Sequence, residues 1–318
     1  MDVVALGELL IDFTGSGISE QGNLLMEVNP GGAPCNVLSM LTRLGKKTAF
    51  IGKVGADMFG QLLAKTVKEV GIDTTGLKME CEINTTLAFV RTKEDGDREF
   101  SFYRNPGADM MLDEADVDEE LIQNSRIFHF GSLSMTHETC KRATMKAIKA
   151  AENAGVIRSF DPNLREPLWK SLDEAKECIA YGMKHCDILK ISDNEITWFT
   201  GNNDYDAGIR QLQRTYQIPL ILLSMGRDGS RAYWKNMMVE VPAILQDGMI
   251  EATGAGDTFY ACVLNYILEH EFDTLAEDQL KEMLRFANAA ASIITTRKGA
   301  LRVMPTKEEV EMLAAQNV

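Results

Sequence analysis

With 318 residues, 45% hydrophobic and 25% charged, the chain has the composition of one large globular domain, which argues against a disordered protein. A formal net charge of -14 at pH 7 argues against nucleic acid or an anionic membrane as partner, so any bound phosphate must be met by local dipoles and a few placed cations. Cys35, Cys81, Cys140, Cys178, Cys186 and Cys262 form no C-x-x-C pair, Met1 to Ala5 carry no basic leader, and no run of about 18 apolar residues occurs; the expected setting is the cytoplasm, with reduced thiols and no membrane span.

Val3 to Gly7 reads as a buried first strand, extended by Glu8 to Phe13. Asp12, between Ile11 and Phe13, either faces solvent at the strand end or binds hydroxyls. Gly31-Gly32-Ala33-Pro34-Cys35-Asn36 then enters a helix running to Leu44, with Gly45 as its stop. Small residues there let a ligand approach the backbone, and Asn36 offers a polyol both a donor and an acceptor. A strand at Phe50 to Val54 and a helix at Asp57 to Val70, capped by Asp57, complete a strand-helix rhythm that means a parallel sheet covered by helices.

From Ile83 to Arg104 the texture changes. Thr85 to Arg91 and Glu99 to Arg104 alternate, with a turn at Glu94-Asp95-Gly96-Asp97, and together with residues of about 13–29 they predict a small antiparallel sheet that projects as a lid. The βα rhythm resumes with strands at Ile127 to Gly131, Val156 to Phe160, Ile188 to Ile191 and Pro219 to Ser224, then Ser230 to Trp234 and Met237 to Val241. Helices are expected at Thr136 to Ala154, Leu172 to Met183, Asn194 to Thr200, Asp206 to Tyr216, Asp278 to Ile294 and Lys307 to Ala315. The predicted fold class is α/β: a doubly wound, mostly parallel sheet flanked by helices, one domain over 1–318, with a discontinuous lid from about 13–29 and 83–105.

Glu251-Ala252-Thr253-Gly254-Ala255-Gly256-Asp257 runs into a helix whose apolar stripe is Phe259, Cys262, Val263, Tyr266 and Ile267. Glycines at a helix N-terminus expose unpaired N–H groups at the positive end of the dipole, a site for phosphate. Asp257 is an odd neighbour for a ground-state anion and suits a base that takes a proton from a group attacking the phosphate; the plainer reading is a glycine-rich turn with an acid in its first turn. Asp161-Pro162-Asn163-Leu164-Arg165, Lys190 to Glu195 and Ser224 to Gly229 follow other strands, at the edge where open α/β sheets bind ligands. Acids, an anion site and scattered cations are the parts phosphoryl transfer needs. No Walker A, G-x-G-x-x-G, H-E-x-x-H or H-R-D motif is present, and His129, His137, His185 and His270 are unclustered and read as structural.

The Gly31-to-Asn36 and Thr253-to-Asp257 stretches together resemble the paired signatures of the ribokinase-like (PfkB) carbohydrate kinases, and the resemblance covers nearly the whole chain. Phe102-Tyr103-Arg104-Asn105-Pro106-Gly107-Ala108-Asp109, Asp161 to Arg165, Asn288-Ala289-Ala290 and Thr296-Arg297-Lys298-Gly299-Ala300 look like the fructokinases of that family. The resemblance implies that Asp257 is the base for the sugar's primary hydroxyl, with the backbone of Gly254, Ala255 and Gly256 holding charge on the transferred phosphoryl. It implies further that Asp12, Gly32 and Asn36 hold sugar hydroxyls, with Arg104 reaching in from the lid and Arg165 from the sheet edge. Asn163, Lys190 and Glu195 are placed around the phosphates of ATP and the waters of Mg²⁺, and Ser224, Gly226, Gly229 and Asn288 along the nucleotide.

The implied product is fructose 6-phosphate. Two positions depart from the family pattern: Glu251 stands where an Asp commonly helps bind a monovalent cation, K⁺, and Ser192 stands where an Asn usually precedes Glu195. Alternatives are a kinase of 2-keto-3-deoxygluconate or another sugar or nucleoside, although an acidic substrate would want more cations near Arg104 and Arg165, and a non-catalytic sugar-sensing module on the same fold. A lid with an apolar face at Phe89, Phe100 and Phe102 suggests a homodimer through the lid.

Overall fold

The computed structural model describes residues 1–92 and 98–316. In chain order the strands are β1 (Val3–Leu6), β2 (Leu10–Ile18), β3 (Leu24–Gly31), β4 (Thr48–Gly55), β5 (Leu77–Glu80), β6 (Leu87–Thr92), β7 (Arg98–Tyr103), β8 (Ile127–Gly131), β9 (Ile157–Asp161), β10 (Ile188–Ser192), β11 (Leu220–Ser224), β12 (Ser230–Trp234) and β13 (Met237–Val241). The helices are α1 (Ala33–Arg43), α2 (Met58–Glu69), α3 (Glu119–Gln123), α4 (Glu138–Asn153), α5 (Leu172–Lys184), α6 (Asp193–Thr200), α7 (Tyr205–Tyr216), α8 (Ala255–Glu269), α9 (Glu277–Ile294) and α10 (Lys307–Ala315).

Nine strands form the main sheet in the order β13-β12-β11-β10-β9-β8-β1-β4-β5, parallel except where β12 pairs antiparallel with β11 and β13. β1 is buried on both sides: Val3 and Ala5 enter one core, Val4 and Leu6 the other, so its sequence is uniformly apolar without alternation. One helical layer carries Leu38 of α1, Leu63 of α2, Tyr260 of α8, Leu284 of α9 and Val310 of α10. The opposite layer carries Ile122 of α3, Ala147 of α4, Ile179 of α5, Ile196 of α6 and Leu212 of α7. From β1 the chain winds outward through β4 and β5, then returns to β8 on the other side and continues to β11. Strand order therefore reverses between β1 and β8, and the crevice above their carboxyl ends is where such sheets bind ligands.

The lid is a second sheet, in the order β3-β2-β6-β7. Two of its pairings are antiparallel, as expected, but β2 and β6 run parallel, Ile11 to Thr14 facing Leu87 to Val90. The reason is topological: β2 follows β1 and β6 follows β5, two parallel strands of the main sheet, so both enter the lid in one direction. Phe13 stacks on Phe89 with centroids 4.8 Å apart and meets Phe59 of α2 edge-on at 5.6 Å, fastening the lid to the main domain. The expected turn at Glu94 to Asp97 lies outside the described residues. Edge strand β5 and the five-residue α3 were not anticipated. Among the described residues no helix is long and apolar enough to cross a membrane, and all six cysteines are free thiols, Cys81 alone exposed.

Candidate active site

Helix α8 is capped by Gly254, whose φ of 75° lies in the left-handed region and whose Cβ, were there one, would fall 2.7 Å from the Ala300 Cβ. Only glycine meets both conditions without displacement. Ala255, Gly256 and Asp257 form the first turn; the Ala255 N–H turns back to the Ala252 carbonyl at 3.2 Å, and the N–H groups of Gly256 and Asp257 lack an intrahelical acceptor. A Cβ on Gly256 would lie 3.1 Å from the Lys190 Nζ, so the missing side chain lets an ammonium group sit against the helix end. The helix end therefore presents backbone N–H groups with a cation at its side, an arrangement able to cradle an anion.

Asp257 is buried, and its Oδ2 accepts a 2.8 Å hydrogen bond from the Asn36 Nδ2 in the first turns of α1. Burial raises the Asp257 pKa, while the Asn36 bond and the charges of Lys190 and Arg165 pull against it. That balance suits a carboxylate able to exchange a proton. Asn36 is itself buried, and its Oδ1 has no hydrogen-bond partner among the described residues. A buried amide oxygen without a donor is costly, and a ligand hydroxyl is one group able to satisfy it.

Gly32 caps α1 with a φ of 138°, and a Cβ there would fall 2.4 Å from the Glu8 carbonyl oxygen. Asp12, half-buried on β2, has its pKa pushed up to about 6, first by burial and then by the neighbouring charge of Glu251, with Arg165 opposing. Asp12, Asn36, Arg165, Glu251 and Asp257 thus share one electrostatic neighbourhood. Arg104, at the end of β7, is differently employed. Its guanidinium is buried, donating to Asp109 Oδ2 at 2.8 Å from Nε, to Thr136 Oγ1 at 2.7 Å and to the Leu133 carbonyl at 3.2 Å.

Below the cradle, Lys190 donates to both oxygens of Asp161, at 3.0 and 3.3 Å. Burial alone would lower the Lys190 pKa, but Asp161, Glu195 and Asp257 outweigh it and the pKa is raised, so the ammonium is charged. Asn163 sits two residues beyond Asp161 in the left-handed region at φ 44°, its N–H turned back to Asp161 Oδ1 at 3.2 Å. Glu195 Oε1 accepts from the Leu164 N–H at 2.7 Å, and Oε2 from the Ser192 N–H and hydroxyl, both at 2.8 Å. Glu251 Oε1 accepts the Gly299 N–H at 2.6 Å, tying the start of the cradle segment to the turn before α10.

Ser224 ends β11 in register with Ser192 of β10 and Ser230 of β12. Gly226 at φ 54° and Gly229 at φ 106° make the intervening turn, and Gly229 packs so closely that a Cβ would meet the Val241 carbonyl at 2.2 Å. Asn288 of α9 is buried, with Oδ1 accepting from Ser230 Oγ at 2.9 Å and Nδ2 donating to the carbonyls of Val241 and Pro242 at 3.1 Å. Its amide fastens α9 to this turn.

Two acids at the site were not singled out from sequence. Asp161 opened a loop that was noticed as a whole, and Glu8 directly follows the buried first strand. In each case the available signal was an acid at the carboxyl end of an apolar run, a different signal from the flanking Ile11 and Phe13 that marked Asp12.

The sequence matches the pfkB family carbohydrate kinases over residues 1–307. It is 42% identical over 308 residues to a probable fructokinase-2 of Arabidopsis thaliana, spanning 96% of this chain and 93% of the relative. Among solved structures, a fructokinase with bound ATP from Xylella fastidiosa aligns with a TM-score of 0.90 and 30% identity, covering 99% of this chain and 98% of the other. A fructokinase double mutant from Vibrio cholerae O395, in its fructose-, ADP- and potassium-bound form, aligns with a TM-score of 0.89 and 27% identity over the same shares. A site built from a backbone anion cradle, a buried carboxylate and an unpartnered amide oxygen, together with these matches, leads to one conclusion: the chain belongs to the pfkB family of carbohydrate kinases and is a sugar phosphotransferase.

Proposed function

We propose that the enzyme transfers the terminal phosphoryl group of ATP to the primary hydroxyl of D-fructose, giving fructose 6-phosphate. The observation that carries this reading is the 2.8 Å bond between Asn36 and Asp257, which puts a polyol-binding amide beside a carboxylate at the mouth of an anion cradle. The sugar hydroxyl approaches Asp257, which accepts its proton as the oxygen attacks phosphorus. The N–H groups at the start of α8 receive the charge of the transferred phosphoryl, and the Lys190 ammonium adds a fixed cation beside Gly256. Asp12 and the free Asn36 Oδ1 hold further sugar hydroxyls. Arg165 neutralises the pair of acids at the opening, and the Ser224-to-Gly229 turn carries the nucleoside.

Mg²⁺ arriving with ATP supplies charge neutralisation of the phosphates. Among the described residues no cluster of three His, Cys, Asp or Glu side chains could cage a metal. Glu195, with three of roughly four acceptor positions already filled by protein donors, has room for one metal-bound water and no more. For a monovalent cation at Glu251, Oε1 is taken by Gly299, so Oε2 is the oxygen offered; turnover in potassium against choline chloride tests it. Of the expected apolar lid face, Phe102 is half-buried and Phe89 is half-buried against Phe13 and Tyr103, whereas Ile18, Leu24 and Tyr103, each more than three-fifths accessible, offer the surface suited to a second copy; a monomer mass at micromolar concentration in sedimentation would remove the homodimer.

A neutral sugar is favoured over 2-keto-3-deoxygluconate because Arg104 is already paired with Asp109 and Asp12 adds negative charge at the opening. The deciding experiment is ADP release without sugar and then with fructose, glucose, ribose and 2-keto-3-deoxygluconate. Fructose is expected to give the highest kcat/KM. A higher value for another sugar changes the substrate, and no turnover with any sugar leaves a non-catalytic sensor.

A further inference from the structure

Helix α1 has an unusual N-terminus. Its cap residue, Gly32, has no side chain to offer, its first turn holds no acid, and Pro34 has no N–H. A larger residue is shut out at Gly32 because its Cβ would strike the Glu8 carbonyl oxygen. The missing cap comes from the same residue that forbids it: Glu8 Oε1 accepts the Ala33 N–H at 2.8 Å, 25 residues away in sequence. Glu8 is buried at the end of β1, beside the point where strand order reverses. One turn along α1, Asn36 presents one amide atom to Asp257 and the other, unpartnered, to the sugar position.

We propose that Glu8 is a positioning residue for sugar binding, acting as a remote cap that fixes the start of α1 and so aims Asn36 at Asp257 and at the incoming hydroxyl. Without that cap the first turn of α1 is free to shift and carry the Asn36 amide with it, whereas Asn288 is held on α9 by Ser230, Val241 and Pro242, away from α1. The effect therefore falls on the sugar and spares the nucleotide. Glu8 also stands next to the lid anchor: Asp109 and Arg104 face it from the segment after β7, and the buried Cys35 thiol faces it from α1. Burial, its largest influence, pushes Glu8 up to about 7, with Asp109 adding and the Ala33 N–H and Arg104 opposing. The cap is accordingly half ionised near neutrality, and an ionised acceptor makes the stronger bond.

The inference rests on the sugar-site reading above, and wild-type turnover of fructose checks that reading separately; should another sugar of the panel be the substrate, the same test is run with it. For Glu8→Ala the sugar KM should rise by about tenfold, the scale of a lost helix cap, with the ATP KM within about twofold. In the wild type, sugar KM should fall from about pH 6 to about pH 8 with a component centred near pH 7 as Glu8 ionises, and Glu8→Gln, a neutral acceptor of the same shape, should lack that component. Inflections belonging to Asp12 and Asp257 should persist in Glu8→Gln. The proposal is overturned if Glu8→Ala raises both KM values together or changes kcat alone, or if Glu8→Gln retains the wild-type pH dependence of sugar KM. If Glu8→Ala does not fold, the isosteric Glu8→Gln comparison decides alone.

Discussion

Asn36 Nδ2 and Asp257 Oδ2 lie 2.8 Å apart across 221 positions of sequence, so the amide tunes the carboxylate, holding its pKa down against burial. In the proposed function this one hydrogen bond couples sugar binding to proton transfer. Substitutions on either side of it should produce distinguishable signatures.

Asp257→Asn retains size and much of the hydrogen bonding but cannot take a proton. Turnover should drop by about 10²–10⁴, the range for a lost general base, while fructose affinity measured by calorimetry stays within a few-fold. Retention of more than about a tenth of wild-type turnover would show that another group is the base.

Asn36→Ala removes a donor that stabilises ionised Asp257. Since that bond holds the pKa down against burial, its loss lets the pKa rise further, and activity requires the ionised form. The acid limb of the kcat/KM profile should therefore move to higher pH, together with a weaker sugar KM. An unmoved acid limb would separate Asn36 from the base.

The pair formed by Asp161 and Lys190 separates stability from function. Both side chains are at least nine-tenths buried. Asp161→Ala leaves an ammonium group without its nearest partner and should cost stability, towards the lower end of about 3–5 kcal/mol because Glu195 and Asp257 still face it. Lys190→Met should unfold less readily than Asp161→Ala, because the abandoned carboxyl can neutralise itself by taking a proton. Its loss should appear instead as a raised ATP KM and lowered kcat. Thermal melts and steady-state kinetics on the two variants test the contrast.

Asp12 has a folded-state pKa raised from 3.8 to about 6. A carboxyl raised on folding contributes stability that is complete below its unfolded pKa and is lost as pH rises through the folded value, each unit being worth about 1.4 kcal/mol. The sugar-free enzyme should therefore lose this contribution between about pH 4 and about pH 6. Asp12→Asn should flatten that part of the melting-temperature profile; an identical slope in wild type and variant rules the assignment out.

Local chemistry explains which features were legible in the sequence. β12 and β13 were placed to the residue, and Asp57 was recognised as the cap of α2, because alternation and capping are written within a few neighbouring positions. β5 escaped notice because Leu77-Lys78-Met79-Glu80 is four residues long with two charges, the character of an edge strand. The parallel pairing of β2 with β6 depends on where two distant strands leave the main sheet, which no local pattern encodes. The same holds for the acids. Asp161 acquires its meaning from Lys190, 29 residues on, and Glu8 from a helix that begins after the whole first lid hairpin.

The long span of the Asn36–Asp257 bond has a consequence for the chain during its own synthesis. A ribosome completes α1 long before it reaches α8, so Asn36 waits for a partner that is 221 residues away in synthesis. The two halves of the proposed site therefore meet in a single late event, when α8 docks against α1, and a chain truncated before Gly254 lacks the carboxylate that the proposed chemistry needs.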